Sequence, residues 1–394
     1  MARELGGPYM PPGFGNHMST HPGIVAITGA FSYTGKYATR LLLRRGYKVR
    51  TLTYHPERAN SLADEVQVFP YDFDHPDQLS QTLRGASTLI NTYWVRFPRG
   101  ESTFATAVQN TRTLITAAKN AEVRRIVHVS IANPSAESPL GYYKGKAELE
   151  QAVFDSGLSY FILRPTVIFG VEDILINNIA WFVRRFPVFG IPGDGRYGIR
   201  PIYVEDMARL IADAADGQGN TVLDAAGPET FTFEELVRLI AERVGRSVRL
   251  VHLPMPLAYV STLVTGWFVG DVVLTWEEYR GLMDNLLAPE GPSTGQTRLS
   301  QWLAENHQQV GRRYASEVAR HYTKCVAQRG GAATKHVGAS GAGPGPNAVG
   351  PYMAGGAPDA SGRHLYRPLH KLTSGKCSDK LSIFFFGHHY PLHT

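Results

Sequence analysis

Val25-Ala26-Ile27-Thr28-Gly29-Ala30-Phe31-Ser32-Tyr33-Thr34-Gly35 is the stretch that decides how this chain folds. The short apolar run Gly23–Thr28 suits a strand buried on both faces of a parallel sheet. It ends at a glycine, and Tyr33–Arg45 then shows helical periodicity. Strand, glycine turn and helix in succession place the unbonded N–H groups and positive dipole end of a helix at the strand's carboxyl edge. A pyrophosphate binds at such a position. Gly29 lets the chain turn tightly, and Gly35 lets the helix pack close to the sheet. Two glycines alone are a weak signal; their place between an apolar strand and an amphipathic helix gives them weight. The plain alternative is a tight strand-to-helix turn without a ligand.

Outward from this loop the chain alternates strand and helix. Strands are predicted at Lys48–Thr53, Val66–Tyr71, Thr88–Asn91, Arg125–Ser130 and Tyr160–Arg164, and helices at Gln78–Leu83, Phe104–Asn120 and Tyr143–Ser156. Right-handed βαβ crossovers then give an α/β fold, a Rossmann-type doubly wound parallel sheet. From about Val171 the pattern is less regular. Helical stretches are read at Ile174–Phe186, Val204–Ala215, Thr232–Val244, Glu277–Leu287 and Arg298–Tyr322, with Thr232 and Glu235 spaced as a capping box. The expected division is a leader over 1–22, a dinucleotide-binding domain over 23–170, a smaller substrate or interaction lobe over 171–322, and a Gly/Ala/Pro-rich tail over 323–394. The leader and the tail are expected to be disordered, with Met18 as a candidate start.

Composition narrows the function. A chain of 394 residues with 43% hydrophobic content can bury a core without staples. Its two cysteines, Cys325 and Cys377, form neither a disulfide framework nor a zinc-ligand spacing, which suits a reducing cytoplasm. The net charge of +6 sits in the tail: 8 of the 40 Lys/Arg and 2 of the 34 Asp/Glu fall within 323–394, leaving 32 of each before it. A neutral body argues against a nucleic-acid surface. No apolar run of the secretory kind opens the chain. Pro254–Gly270 is the strongest membrane candidate, but it is short for a span and carries two prolines and two glycines. A buried or half-buried helix lining the second lobe is the expected reading. Six of the 14 histidines lie in the tail, including His388 and His389, without a ligand spacing; no metal site is expected.

Four segments carry a resemblance. They are the Thr28–Gly35 loop, the Tyr142/Lys146 pair, Arg164-Pro165-Thr166 leading to Phe169-Gly170, and Arg200-Pro201-Ile202-Tyr203-Val204-Glu205-Asp206. Over residues 22–322 the sequence resembles the short-chain dehydrogenase/reductase superfamily, and within it the atypical, NmrA-like members, a group that includes an accessory subunit of respiratory complex I. The resemblance implies a bound NAD(P) held by Thr28, Gly29, Phe31, Ser32, Tyr33, Thr34 and Gly35. It places Asp72 near the adenine and Pro165 beside the nicotinamide. Asn91, at the carboxyl edge of the fourth strand, is a further cofactor-binding candidate. Ser32 departs from the family, which usually has glycine there; its Cβ narrows the approach to a phosphate, while its hydroxyl offers a donor.

The second strand ends Leu52-Thr53-Tyr54-His55-Pro56-Glu57-Arg58, with no carboxylate at its tip to hold a ribose 2′-OH. Thr53, His55 and Arg58 offer contacts for a 2′-phosphate instead, so NADP(H) is favoured over NAD(H). Tyr142 and Lys146, four residues apart, share one face of a helix. A nearby ammonium favours phenolate and is expected to lower the tyrosine's pKa. In the family the corresponding tyrosine protonates a carbonyl, the lysine also binds the nicotinamide ribose, and a serine at the place of Ser130 polarises the carbonyl. Tyr93 and Trp94 are candidates for stacking on cofactor or substrate, with core packing as the alternative.

Two readings follow. The first is an NADP(H)-dependent oxidoreductase acting on a carbonyl, hydroxyl or sugar-nucleotide-like substrate. The second is a non-catalytic dinucleotide sensor or assembly subunit. Neither names a substrate, and the oligomeric state rests on analogy with the fold alone.

Overall fold

A computed structural model describes residues 23–54, 56, 62 and 64–321. The leader, the tail from residue 322 onward, and the predicted cofactor contacts His55 and Arg58 lie outside them.

The apolar run after Gly23 forms β1 (Ile24–Thr28), and Tyr33–Arg44 forms α1. There follow β2 (Lys48–Thr53), β3 (Val66–Pro70), α2 (Pro76–Leu83), β4 (Ala86–Asn91), α3 (Phe104–Asn120), β5 (Arg125–Val129), α4 (Gly141–Phe154) and β6 (Ser159–Pro165). Each lies within a few residues of its sequence expectation. Val25, Ala26 and Ile27 are fully buried, as a central strand covered on both faces must be.

Beyond β6 come β7 (Ile168–Phe169), α5 (Leu175–Arg185), β8 (Val188–Pro192), β9 (Gly198–Ile199), β10 (Ile202–Tyr203), α6 (Val204–Asp216) and β11 (Thr221–Ala225). The remaining elements are β12 (Phe231–Thr232), α7 (Phe233–Arg243), β13 (Arg249–Leu253), α8 (Met255–Val269), α9 (Trp276–Met283), α10 (Leu299–Asn306) and α11 (Glu317–His321). The capping box at the start of α7 is present in both halves, Thr232 Oγ1 accepting from Glu235 N and Glu235 Oε2 accepting from Thr232 N.

The large sheet has seven parallel strands in the order β11-β6-β5-β4-β1-β2-β3. Strand order reverses between β1 and β4, so their carboxyl ends frame the crevice where doubly wound folds bind ligands. One face is covered by α1 and α6 through Ala38, Leu42, Met207 and Ile211. The other is covered by α2, α3 and α4 through Leu79, Leu83, Leu114 and Val153. A separate cluster, including Phe169, Ile179, Leu236, Ile240 and Trp302, forms the core of the second lobe.

Two expectations need correction. The chain does not leave the sheet for good after residue 170: α6 packs beneath it, and β11 pairs with β6 to complete it. Nor is Arg298–Tyr322 one helix. It breaks after α10 and passes through Gly311 at φ +70°, where a Cβ would meet the Ala180 carbonyl carbon and the Trp181 nitrogen at 2.5 Å.

The turn into α6 has a structural task. Asp206 is buried, and its Oδ2 accepts from Gln296 N and Thr297 N, both at 2.8 Å, while Oδ1 accepts from Arg209 Nη2 at 2.9 Å. This carboxylate ties the segment leading into α10 to the sheet's lower layer.

Candidate functional site

The loop between β1 and α1 closes on itself. Gly29 takes φ +70°, donates its N–H to Leu52 O at 2.9 Å and accepts from Ser32 N at 2.9 Å. Ser32 caps α1, its Oγ accepting from Gly35 N at 3.2 Å. The hydroxyl read as a phosphate donor is thus turned toward the helix it starts. Gly35 sits where a Cβ would lie 2.0 Å from Gly29 O, so this turn admits no side chain there. The N–H groups of Tyr33 and Thr34 have no acceptor among the described residues, and both residues line the cleft at the carboxyl edge of the sheet. Phe31 packs instead against the core under α1.

Thr28 and Asn91 lock β1 to β4. Thr28 Oγ1 accepts from Thr92 N at 2.7 Å and Tyr93 N at 3.0 Å and donates to Asn91 Oδ1 at 3.2 Å. Asn91 Nδ2 meets His128 Nδ1 at 3.1 Å. Asn91 is wholly buried, so its amide orders the strand ends rather than reaching a ligand. Burial, and then the Lys146 ammonium, hold His128 well below the usual histidine range, so it stays neutral at physiological pH. Thr53 is buried at the end of β2. Asp72 accepts from the backbone and ring of His75 ahead of α2. Beside it, Tyr54, Tyr71, Phe73 and Tyr93 form one aromatic cluster with centroids 4.6–6.3 Å apart. Tyr93 packs within this cluster.

The three residues read as catalytic face one cleft of about 1380 Å³, together with Trp94 and Pro165. Ser130 continues β5, its N–H bonded to Leu163 O at 2.7 Å, and its buried Oγ has no partner among the described residues. Lys146 is buried, donates to Val129 O at 2.8 Å and lies 4.7 Å from the centre of the Trp94 ring. Burial pushes it down to about 7, with Glu150 opposing the shift. Glu150 is itself held by Arg164 through a two-oxygen contact at 2.5–3.2 Å. Thus the arginine of Arg164-Pro165-Thr166 acts on the site through the carboxylate one turn beyond Lys146.

Tyr142 does not behave as its spacing from Lys146 suggests. Its ring packs edge-on against Trp94 and Phe104, and burial pushes its phenol above the usual range, assisted by Tyr143 and Glu278. Trp94 touches both Tyr142 and Lys146 and packs on Gly145 between them, where a Cβ would lie 2.8 Å from its ring. The expected lowering by the lysine is absent, because the ammonium is directed to Val129 O and the indole rather than to the phenol.

The second lobe supplies contacts that sequence spacing does not mark. Glu277 of α9 accepts from Tyr142 N at 3.1 Å, at the start of α4. Its neighbour Glu278 pairs with Arg96 at 2.5 Å, and Arg96 also reaches Val273 O and Glu317. A cluster of charges thereby joins the segment after β4 to α9 and α11. The deep walls of the cleft are apolar, built from residues such as Ile131, Ile168, Ile179, Phe182 and Leu282.

Residues 29–173 match a protein family described as NAD(P)H-binding. The chain carries an NAD(P)-binding domain. The match begins at the loop glycine and ends just before α5. A mitochondrial protein of Arabidopsis thaliana, NADH dehydrogenase [ubiquinone] 1 alpha subcomplex subunit 9, is 27% identical over 266 residues, covering 64% of this chain and 66% of its own, just under two thirds of that relative. Ceramide reductase of Caulobacter vibrioides is 28% identical over 249 residues, covering 62% of this chain and 78% of its own. Among solved structures, the NADPH-dependent quinone oxidoreductase QOR2 of Escherichia coli superposes with a TM-score of 0.59 at 23% identity, over 72% of this chain and 98% of that one. These relatives include both reductases and a respiratory-chain subunit, in keeping with the NmrA-like resemblance read from the sequence.

Lys146 makes the NAD(P)-binding domain's stability depend on pH. Unfolded, its ammonium titrates at 10.5, and folded at about 7. Below pH 7 both states are protonated, and the fold carries the full cost of a buried charge. Between 7 and 10.5 the unfolded state binds the extra proton, so that cost shrinks as pH rises and is gone above 10.5. Lys146→Met is expected to raise the melting temperature by roughly 5 °C near pH 6. Thermal unfolding followed up the pH scale should show that advantage shrinking steadily; an advantage independent of pH would place the ammonium in solvent.

Proposed function

We propose that the protein is an NADP(H)-dependent oxidoreductase acting on a carbonyl or hydroxyl group of a largely apolar substrate. The observation that carries this reading is that Ser130, Tyr142 and Lys146 face the same cleft as Tyr33 and Thr34, with Ser130 Oγ buried and unpartnered among the described residues. An orphaned hydroxyl in a ligand-sized cleft suits a group that must polarise a carbonyl oxygen. The turn at Gly29, the close approach at Gly35 and the first N–H groups of α1 fit a pyrophosphate. When bound, the dinucleotide supplies hydride chemistry. Ser130 then polarises the substrate oxygen, Tyr142 exchanges a proton with it, and Lys146 binds the ribose hydroxyls beside the nicotinamide. The apolar walls exclude water and favour a substrate with a hydrocarbon body. The preference for NADP(H) rests on Leu52-Thr53-Tyr54, which ends β2 without a carboxylate.

A second reading, a non-catalytic dinucleotide sensor or assembly subunit, is favoured by one observation. Tyr142 has its phenol pushed up and its neighbour Lys146 directed elsewhere. Oxidation of NADPH by the full chain, assayed with long-chain aldehydes and ketones and with short polar ones, separates the two. The oxidoreductase reading expects turnover that favours the long-chain compounds. Saturable binding of NADPH with no turnover on any of them would give the second reading the lead.

A further inference from the structure

The membrane candidate of the sequence forms helix α8, which lines the cleft with one side half-buried, but of residues Met255–Val269 only Ala258 is fully buried and the other side is open. Trp267 and Phe268 are 79% and 74% exposed, and Leu257, Val260, Leu263 and Val264 are each more than half exposed. The helix carries no charged residue. A contiguous apolar face of this kind marks an interaction surface.

Three further observations identify the partner. First, the hydroxyls on α8 are satisfied inside the helix: Ser261 donates to Ala258 O, Thr262 to Tyr259 O and Thr265 to Ser261 O, each at 2.7 Å. Polar groups closed on their own backbone can enter hydrocarbon without leaving unpaired donors. Second, the apolar face continues into the mouth of the cleft. Val264 and Phe268 of α8, like Phe186 and Val188, are both exposed at the surface and part of the cleft wall. Third, Arg184 lies within reach of the positive charges of Arg312, Arg246 and Arg185. Arg185 lies 4.3 Å from the ring centre of Trp181, another wall residue, and the side-chain bonds of Arg184, Arg185 and Arg312 go to backbone carbonyls. No carboxylate among the described residues pairs with any of the four, which leaves a positive rim beside an apolar face.

We infer that α8 and the adjoining rim of the cleft form a docking surface for an anionic lipid bilayer, with the helix lying in the interface and the arginines meeting the headgroups. No helix among the described residues is long and apolar enough to cross a membrane. A helix of 15 residues whose exposed side is apolar and carries Trp267 and Phe268 near its end instead suits insertion parallel to the surface. The cleft then opens toward the acyl-chain boundary.

Flotation of the full chain with vesicles tests this, and it needs no dinucleotide, so it stands apart from the oxidoreductase reading. With vesicles of equal parts phosphatidylcholine and phosphatidylglycerol, the protein is expected to float, and added salt is expected to weaken the binding. Trp267→Ser combined with Phe268→Ser should reduce binding by about tenfold or more. Both side chains lie mostly in solvent, so unchanged circular dichroism would show that the fold survives. A protein that stays at the bottom of the gradient overturns the inference. If sedimentation then shows a dimer that the double variant converts to monomer, the face pairs with a second copy. Equal binding of the double variant and the parent overturns the inference as well.

Discussion

Gly35→Ala is expected to weaken NADPH binding by about a hundredfold or more, equivalent to roughly 2.7 kcal/mol. The new methyl group would lie 2.0 Å from Gly29 O and 2.8 Å from Ser32 Oγ. The first contact is with backbone, which no side-chain rotation relieves. Either α1 moves away from the sheet or the turn at Gly29 opens. Both outcomes displace the N–H groups of Tyr33 and Thr34 that the phosphate reading requires. Ser32 would also lose its cap geometry with Gly35 N, so stability should fall by about 1 kcal/mol or more. Calorimetric titration with NADPH, run alongside urea unfolding, separates the two effects. Affinity equal to that of the parent protein would show that the pyrophosphate does not sit on this turn.

Tyr142→Phe is expected to lower turnover by about a hundredfold or more while leaving NADPH affinity within about twofold. The substitution removes only the hydroxyl. The ring keeps its edge-on contacts with Trp94 and Phe104, at 5.6 and 5.8 Å. The backbone bond from Tyr142 N to Glu277 is likewise untouched. A loss of turnover therefore reports the proton rather than the packing. Since burial and neighbouring acidic groups raise this phenol, it stays protonated across the physiological range. Reduction of a carbonyl, which takes a proton, is the direction such a phenol serves. Turnover unchanged in the variant would remove Tyr142 from the chemistry.

Much of the NAD(P)-binding domain was legible because its elements carry their own local signals. β1 and α1 follow from an apolar run, a glycine and a helical period in immediate succession. The strand β11 was not legible: Thr221–Ala225 is short, includes Asp224, and is a strand by virtue of pairing with β6, far away in sequence. The exposed face of α8 escaped for a related reason. Apolar composition distinguishes core from surface only when something covers the helix, and the sequence of Pro254–Gly270 does not say what covers it. In the site, spacing brought Tyr142 and Lys146 onto one helix, and strand order brought Ser130 beside them. Spacing alone did not show that Trp94 would take the ammonium's approach, nor that Glu277 would bind the start of α4 from 135 residues away. Such contacts depend on how the second lobe folds back, and they leave no periodicity to read. Ser32 shows the same limit in miniature. Its departure from glycine was visible, but its task as the cap of α1 appears only once Gly35 N is seen to bond to it.

The most direct test of the account is a titration of the full chain with NADPH and, separately, with NADH, followed by ligand fluorescence. Saturable binding of both is expected, with NADPH the tighter. Binding of neither dinucleotide would contradict the central claim that the turn from Gly29 to Gly35 holds a pyrophosphate.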